Sequence, residues 1–206
     1  TFEEEKKEKP SLIERYLSLL VRITKRPMRV RLPHGNRSVD DRLITEIPRI
    51  ESPTVEEVDI NAIDDPYSFV RICYDSVAGE YLYEVIEPRL TEDEKTLLDL
   101  LKHALIVSLN YTDDPDPEHR RDLLSRATDE LLKKLDIVPD PVSRERIFYY
   151  LQRDFVGYGA VDVMMEDPNV EDCSCDGVGI PLYIYHRKYG SIRSNILFED
   201  ETGLDE

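Results

Sequence analysis

Cysteine is scarce in this sequence and poorly spaced for chemistry. Cys73, Cys173 and Cys175 form neither an even set nor a Cys-x-x-Cys pair, which excludes a disulfide framework and a zinc site of ordinary ligand spacing. On a strand, Cys173 and Cys175 would share one face, where they are expected as small core residues. Long apolar runs are missing too. None approaches the roughly 18 residues that a membrane-spanning helix needs, and the charged opening "TFEEEKKEKP" is unlike a secretory signal, so the chain is expected to be cytoplasmic. Positive charge is also short. With 27 basic residues against 44 acidic ones the formal net charge is −17, and no basic stripe breaks the acidity, so nucleic acid is excluded as a partner. Arginines outnumber lysines and aspartate is abundant, a balance that keeps a protein soluble in concentrated salt while self-repulsion loosens it in dilute buffer.

A phosphate cradle is the next absence. The loop G-x-x-x-x-G-K-[ST] between strand and helix, whose backbone N–H groups hold nucleotide phosphates, does not occur. The stretch "CDGVGIPLYIYHRKYGSIRSN" has close glycines followed by basic residues, but Gly177 and Gly179 precede Pro181 and a strand. Proline offers no N–H, so the two glycines are expected to turn the chain between strands. These residues alone are expected to bind no cofactor and no metal and to catalyse nothing.

What is present is an α+β pattern, in a chain of 206 residues with a hydrophobic fraction of 40%, enough for one or two domains. "SLIERYLSLLVRIT" reads as a helix opened by the capping box Ser11/Glu14 and closed by Pro27. The proline- and charge-rich stretch from Met28 to residue 63 reads as loosely structured, with one strand at Met28 to Leu32. "PYSFVRICYDSVAGEYLYEVIEP" alternates on both sides of Gly79 as a β-hairpin does, and its tyrosines read as strand-forming surface residues.

Helix signals follow: Thr91 with Glu94 as a capping box, then Asp116 before Pro117, then Asp140 before Pro141. The apolar stripes are Leu97, Leu98, Leu101 and Leu105, then Leu123, Leu124, Ala127, Leu131 and Leu135, then Ile147, Phe148, Leu151 and Phe155, which predicts a helical subdomain from Thr91 to Phe155. A short helix capped by Asp162 should close at Asp167, ahead of Pro168. After it come a strand in "NVEDCSCDG" and two strands in "PLYIYHRKYGSIRSNILF". Leu182, Ile184, Ile192, Ile196 and Phe198 line the apolar face of that last pair.

One long stretch carries a resemblance. "DFVGYGAVDVMMEDPNVEDCSCDGVGIPLYIYHRKYGSIRSN" resembles the N-terminal domain of archaeal secretion-traffic ATPases, relatives of the motors of type II secretion, type IV pili and the archaellum. In that family a glycine-containing segment leads to a short helix ending in Asp-Pro, a strand with "EDxSCDG" and a strand ending "YHRKYGSIRTN". "PYSFVRICYD" and "GEYLYEVIEPRLTEDE" resemble the upstream part of the same proteins, so the likeness runs from Asp64 to Phe198. The resemblance implies a division into a variable charged extension (1–63), the hairpin (64–90), the helical subdomain (91–155) and the start of an antiparallel, PAS-like α/β domain (156–206). It implies a fragment of a longer hexameric ATPase, whose own C-terminal domain would bind ATP and Mg²⁺. That motor would lie at the inner face of the cell membrane, docked on a polytopic membrane platform protein. Arg187, Lys188 and Arg193 are its candidates for approaching nucleotide or a neighbouring subunit.

Two other readings of the residues remain. One is a freestanding interaction or sensor module, since fold does not fix function. The other is a self-contained enzyme using Asp172, Asp176 or His186. Neighbouring carboxylates in so acidic a chain are expected as a solvated face, and a lone histidine beside a turn is expected to be exposed.

Overall fold

The structure is a computed structural model that describes residues 44–108 and 116–198. The helix expected at Ser11 to Thr24 and the strand at Met28 to Leu32 lie outside the described residues. Within them the fold is α+β, with a six-stranded mixed sheet and a group of helices inserted between its third and fourth strands in sequence.

The helices start where their caps dictate. Helix α1 (Glu92–Ser108) opens on a reciprocal box: the Thr91 N–H donates to Glu94 Oε2 at 2.7 Å, and the Glu94 N–H donates to Thr91 Oγ1 at 3.2 Å. Helix α2 (Pro117–Lys134) is capped by Asp116, which accepts from the Glu118 N–H at 3.0 Å. Helix α3 (Pro141–Phe155) is capped by Asp140, whose Oδ1 accepts from the Val142 and Ser143 N–H groups, both at 3.1 Å. These bonds hold the Asp140 carboxyl below its ordinary range even though burial pushes the other way.

The three helices share a core of Leu97, Leu98, Leu101, Leu105, Leu131 and Leu151 with their neighbours. The α2 stripe is rotated from the expected one. Leu123 faces solvent, while Thr128 and Leu132 are buried. Thr128 joins the apolar side because its hydroxyl donates back to the Leu124 carbonyl at 2.8 Å, which satisfies it inside the helix.

The strands run β1 (Val55–Asp64), β2 (Ser68–Asp75), β3 (Glu80–Ile86), β4 (Val170–Ser174), β5 (Pro181–His186) and β6 (Gly190–Leu197). Their order across the sheet is β1-β2-β3-β6-β5-β4. The hairpin β2–β3 turns at Gly79, which has φ +70, while Asp75 Oδ1 accepts from the Val77 N–H at 2.9 Å. Gly177 and Gly179, also at positive φ, turn the chain between β4 and β5 as expected.

β1 occupies part of the stretch read as loosely structured. It is an edge strand with register shifts between Glu57 and Asp59 and between Ala62 and Asp64, and each bulge moves the side chains to the opposite face. "VEEVDINAID" therefore shows no clean period of two.

The sheet is mixed, not antiparallel throughout, because β3 and β6 pair in parallel through Leu82↔Arg193 and Tyr83↔Ser194. That pairing joins the hairpin and the C-terminal strands in one sheet. Asn195 extends the seam: Val85 N–H donates to its Oδ1 at 2.8 Å, and its Nδ2 donates to the Val85 carbonyl at 2.9 Å.

One face of the sheet, built from Val70, Ile72, Tyr83, Leu182, Ile184 and Ile192, packs under Val163 and Met164 of the short helix α4 (Asp162–Glu166). Asp162 is not the N-cap of that helix. It lies in the first turn, and its Oδ1 accepts from the Tyr158 N–H at 2.7 Å. Asp167 does end α4, with an extended backbone before Pro168. Of the hairpin tyrosines Tyr81 is exposed as expected, whereas only 1% of Tyr83 meets solvent.

Candidate functional site

The expected basic cluster is split by the register of β5 and β6. Arg187 and Lys188 sit on the turn between these strands, but Arg193 pairs with Tyr183, beyond the pairs His186↔Gly190, Tyr185↔Ser191 and Ile184↔Ile192. At about 3.3 Å per residue that places Arg193 about 10 Å back along the sheet. The three residues do not converge, and Arg193 is not at the exposed end of the hairpin.

On the turn, the Arg187 N–H donates to the Asn169 carbonyl at 2.9 Å. Its guanidinium meets Glu171 at 3.1 Å with both side chains well exposed, an ion pair of small energetic weight. The Lys188 ammonium lies 5.0 Å from the centre of the Tyr189 ring.

Behind the turn runs a row of rings: Tyr74 to Tyr81 at 5.1 Å, Tyr81 to Tyr189 at 4.8 Å and Tyr189 to His186 at 4.9 Å. His186 is not exposed as its place beside a turn suggested. Its side chain shares the sheet face of Leu182 and Ile184, and only 6% of it meets solvent. Its Nδ1 accepts from the Lys188 N–H at 3.1 Å. Burial, aided by the Lys188 charge, pulls its pKa below the ordinary 6.5, against Asp167 and Asp59, which pull it up.

The second concentration of chemistry joins α3 to the sheet. Arg153 Nη1 donates to both Glu87 oxygens at 2.9 Å, and its Nε donates to Asp154 at 2.8 Å. Asp154 also pairs with Lys102 of α1. Tyr149 donates to Glu87 at 2.8 Å, Tyr150 to the Pro88 carbonyl at 2.8 Å, and Tyr67 stacks on Tyr149 with centroids 5.5 Å apart. Burial opposes a charge on Arg153, but Glu87 and Asp154 outweigh it and raise its pKa. Burial pushes the Tyr149 and Tyr150 phenols far above their ordinary range. Arg153 is thereby held charged and the two phenols neutral, and together they fasten α3 to the sheet.

The opposite face of the sheet is covered only in part. Arg71, only 3% exposed, donates through Nη1 to the Pro48 carbonyl at 2.6 Å and through Nε to Glu84 at 2.8 Å. Thr45 donates to the Tyr67 carbonyl at 2.7 Å, and Arg146 of α3 to the Ile44 carbonyl at 2.9 Å. Residues 44–48 are thereby latched to β2 and to α3 together. A lone arginine in the apolar run "SFVRICYD" was the sequence signal for this latch, since a charge in a buried strand needs a partner.

No three His, Cys, Asp or Glu side chains among the described residues are placed to hold a metal. Asp172 and Asp176 are exposed. Burial raises the Cys73 and Cys173 thiols, which disfavours their reactive thiolates. Cys173 packs with its sulfur 3.9 Å from that of Met164. Cys175 lies past the end of β4 and is exposed, so the pair does not share a buried face. No described helix is long and apolar enough to cross a membrane.

Comparison with known proteins extends the resemblance toward the N-terminus. Residues 36–89 match the family described as PilB3-like, N-terminal, a match that supports the N-terminal region of a pilus or secretion ATPase. It takes in the latched segment and all of β1, β2 and β3, so the likeness starts upstream of Asp64, inside the stretch read as a variable extension. Two archaeal relatives, both from Methanocaldococcus jannaschii, are similar over longer spans. "Uncharacterized protein MJ1288" is 38% identical over 137 residues, covering 66% of this chain and 54% of the relative. "Uncharacterized protein MJ0900" is 25% identical over 182 residues, covering 79% of this chain and 32% of the relative. The chain spans about half the length of the first and a third of the second.

Proposed function

We propose that this chain is the N-terminal docking and regulatory region of a hexameric ATPase that powers protein secretion or the assembly of pilus-like filaments. The observation that carries the reading is the match of residues 36–89 to the PilB3-like N-terminal family. The absence of a phosphate-binding loop from the sequence agrees with a region that does not itself hold nucleotide. In this reading ATP and Mg²⁺ bind in a separate catalytic domain of the full-length protein. The N-terminal region transmits motion and meets a polytopic membrane protein, which holds the motor at the inner face of the membrane. Its acidic surface suits the basic cytoplasmic loops of such a partner by charge complementarity. The turn carrying Arg187 and Lys188, with Arg193 behind it, faces a neighbouring subunit or its nucleotide.

The test compares this chain with the full-length gene product. The chain alone should show no ATP turnover, and the full-length protein should turn ATP over. Replacing Arg187, Lys188 and Arg193 by alanine in the full-length protein should leave its circular dichroism unchanged but lower the turnover or the affinity for the membrane partner. Steady hydrolysis by this chain, or a full-length product without ATPase activity, would overturn the reading in favour of a freestanding module or a self-contained enzyme.

A further inference from the structure

We infer that the uncovered face of β4, β5 and β6 is a self-complementary contact for a second copy of this chain. The latched segment closes the far side of the sheet at β2 and β3, through Arg71, Pro48 and Glu84. Beyond β3 no described residue covers the same side, and the strand register fixes what it presents. Asp172 pairs with Tyr185 and Ser174 with Tyr183 across β4 and β5. Tyr185 pairs with Ser191 and Tyr183 with Arg193 across β5 and β6. The residues between them, Cys173, Ile184 and Ile192, pack on the side covered by α4. All six of the former therefore share the open side.

This side is amphipathic in an ordered way. Tyr183 is 39% and Tyr185 52% exposed, and neither phenol has a hydrogen bond among the described residues. Arg193 has no ion pair among them either, although the chain carries 44 carboxylates. Asp172 has none, and accepts only from the neighbouring Cys173 N–H at 3.0 Å. With strands about 4.8 Å apart and about 3.3 Å per residue, the acid and the base stand at opposite ends of a diagonal about 12 Å long. The two tyrosines lie on either side of its middle.

That layout selects the occupant. A two-fold axis lying between two copies of the sheet and bisecting the diagonal sets Asp172 of each copy against Arg193 of the other, so each contact occurs twice. The tyrosines of both copies fill the centre, where interfaces favour aromatic side chains. A ligand or protein of one charge sign would answer only one end of the diagonal. This contact needs neither nucleotide nor membrane partner, so it is tested on the chain alone and its failure leaves the ATPase reading standing.

The experiment is sedimentation equilibrium of the chain across a concentration series at physiological ionic strength, where the Debye length of about 8 Å screens repulsion between acidic surfaces. The wild type should form dimers. Arg193→Asp and Asp172→Arg should each weaken dimerisation by about tenfold or more, since each places like charges together at both ends of the contact. The doubly reversed variant should regain it. All these positions are exposed, so circular dichroism should be unchanged. A wild type that stays monomeric, a dimer indifferent to either reversal, or a double variant that is not restored would each overturn the inference.

Discussion

Tyr83 of β3 donates its phenol hydrogen to Asp167 Oδ2 at 2.9 Å, tying the middle of the sheet to the end of α4. Both residues are buried. The other Asp167 oxygen accepts from the Asn169 N–H at 2.8 Å and from its Nδ2 at 3.1 Å. Tyr83→Phe keeps the ring and removes one donor from a buried carboxylate. It should destabilise the protein by about 1–3 kcal/mol, read as a lower midpoint in urea with an unchanged slope.

Arg153 faces Glu87 and Asp154 with little solvent to screen them. Arg153→Ala takes from Glu87 its ion-pair partner and leaves Asp154 with Lys102 alone at the junction of α3 with the sheet. A loss of about 3 kcal/mol is expected, and it should exceed that for Arg187→Ala, whose exposed pair with Glu171 is worth under about 1 kcal/mol. Chemical denaturation of the two variants side by side checks the order.

His186 makes stability depend on pH. Its pKa is lowered in the folded protein, so the unfolded chain takes up the proton first as the solution is acidified. The stabilising effect is fully present above the ordinary value of 6.5 and is lost as pH falls below that toward the folded value. Thermal midpoints recorded from pH 7.5 downward should fall less steeply for His186→Asn, which keeps an acceptor near Nδ1 but does not titrate.

The formal charge of −17 gives the opposite of ordinary ion-pair behaviour. Self-repulsion is screened as the Debye length shrinks from about 30 Å at 0.01 M to about 3 Å at 1 M salt. The thermal midpoint should therefore rise with added potassium chloride. A flat or falling midpoint would mean that ion pairs such as Arg153 with Glu87 outweigh the net charge.

Local chemistry carried much of this fold into view from sequence, and nonlocal pairing did not. Thr91 with Glu94, Asp116 with Pro117 and Asp140 with Pro141 mark helix starts through bonds made within a few residues. β2 and β3 showed because their alternation is unbroken. β1 hid behind its two bulges. Tyr83 read as a surface tyrosine because the carboxylate that satisfies it is 84 positions away. His186 reads as exposed from its place beside a turn, yet the alternation of β5 puts it on the buried face of Leu182 and Ile184. For the candidate site, the sequence marked Arg187, Lys188 and Arg193, but only the register shows that Arg193 lies beside Tyr183 within the sheet and not on the turn.

The parallel seam between β3 and β6 has a consequence for how the molecule is made. Asn195 and Val85 are 110 positions apart, so a ribosome finishes β3 well before the strand that will flank it exists. Until then the hairpin carries one unclaimed edge of peptide groups, the kind of edge that recruits stray strands. The intervening helices are rich in local contacts and can form in that interval. The seam can close only once β6 is made, a strand whose asparagine side chain takes the place of a peptide group opposite Val85.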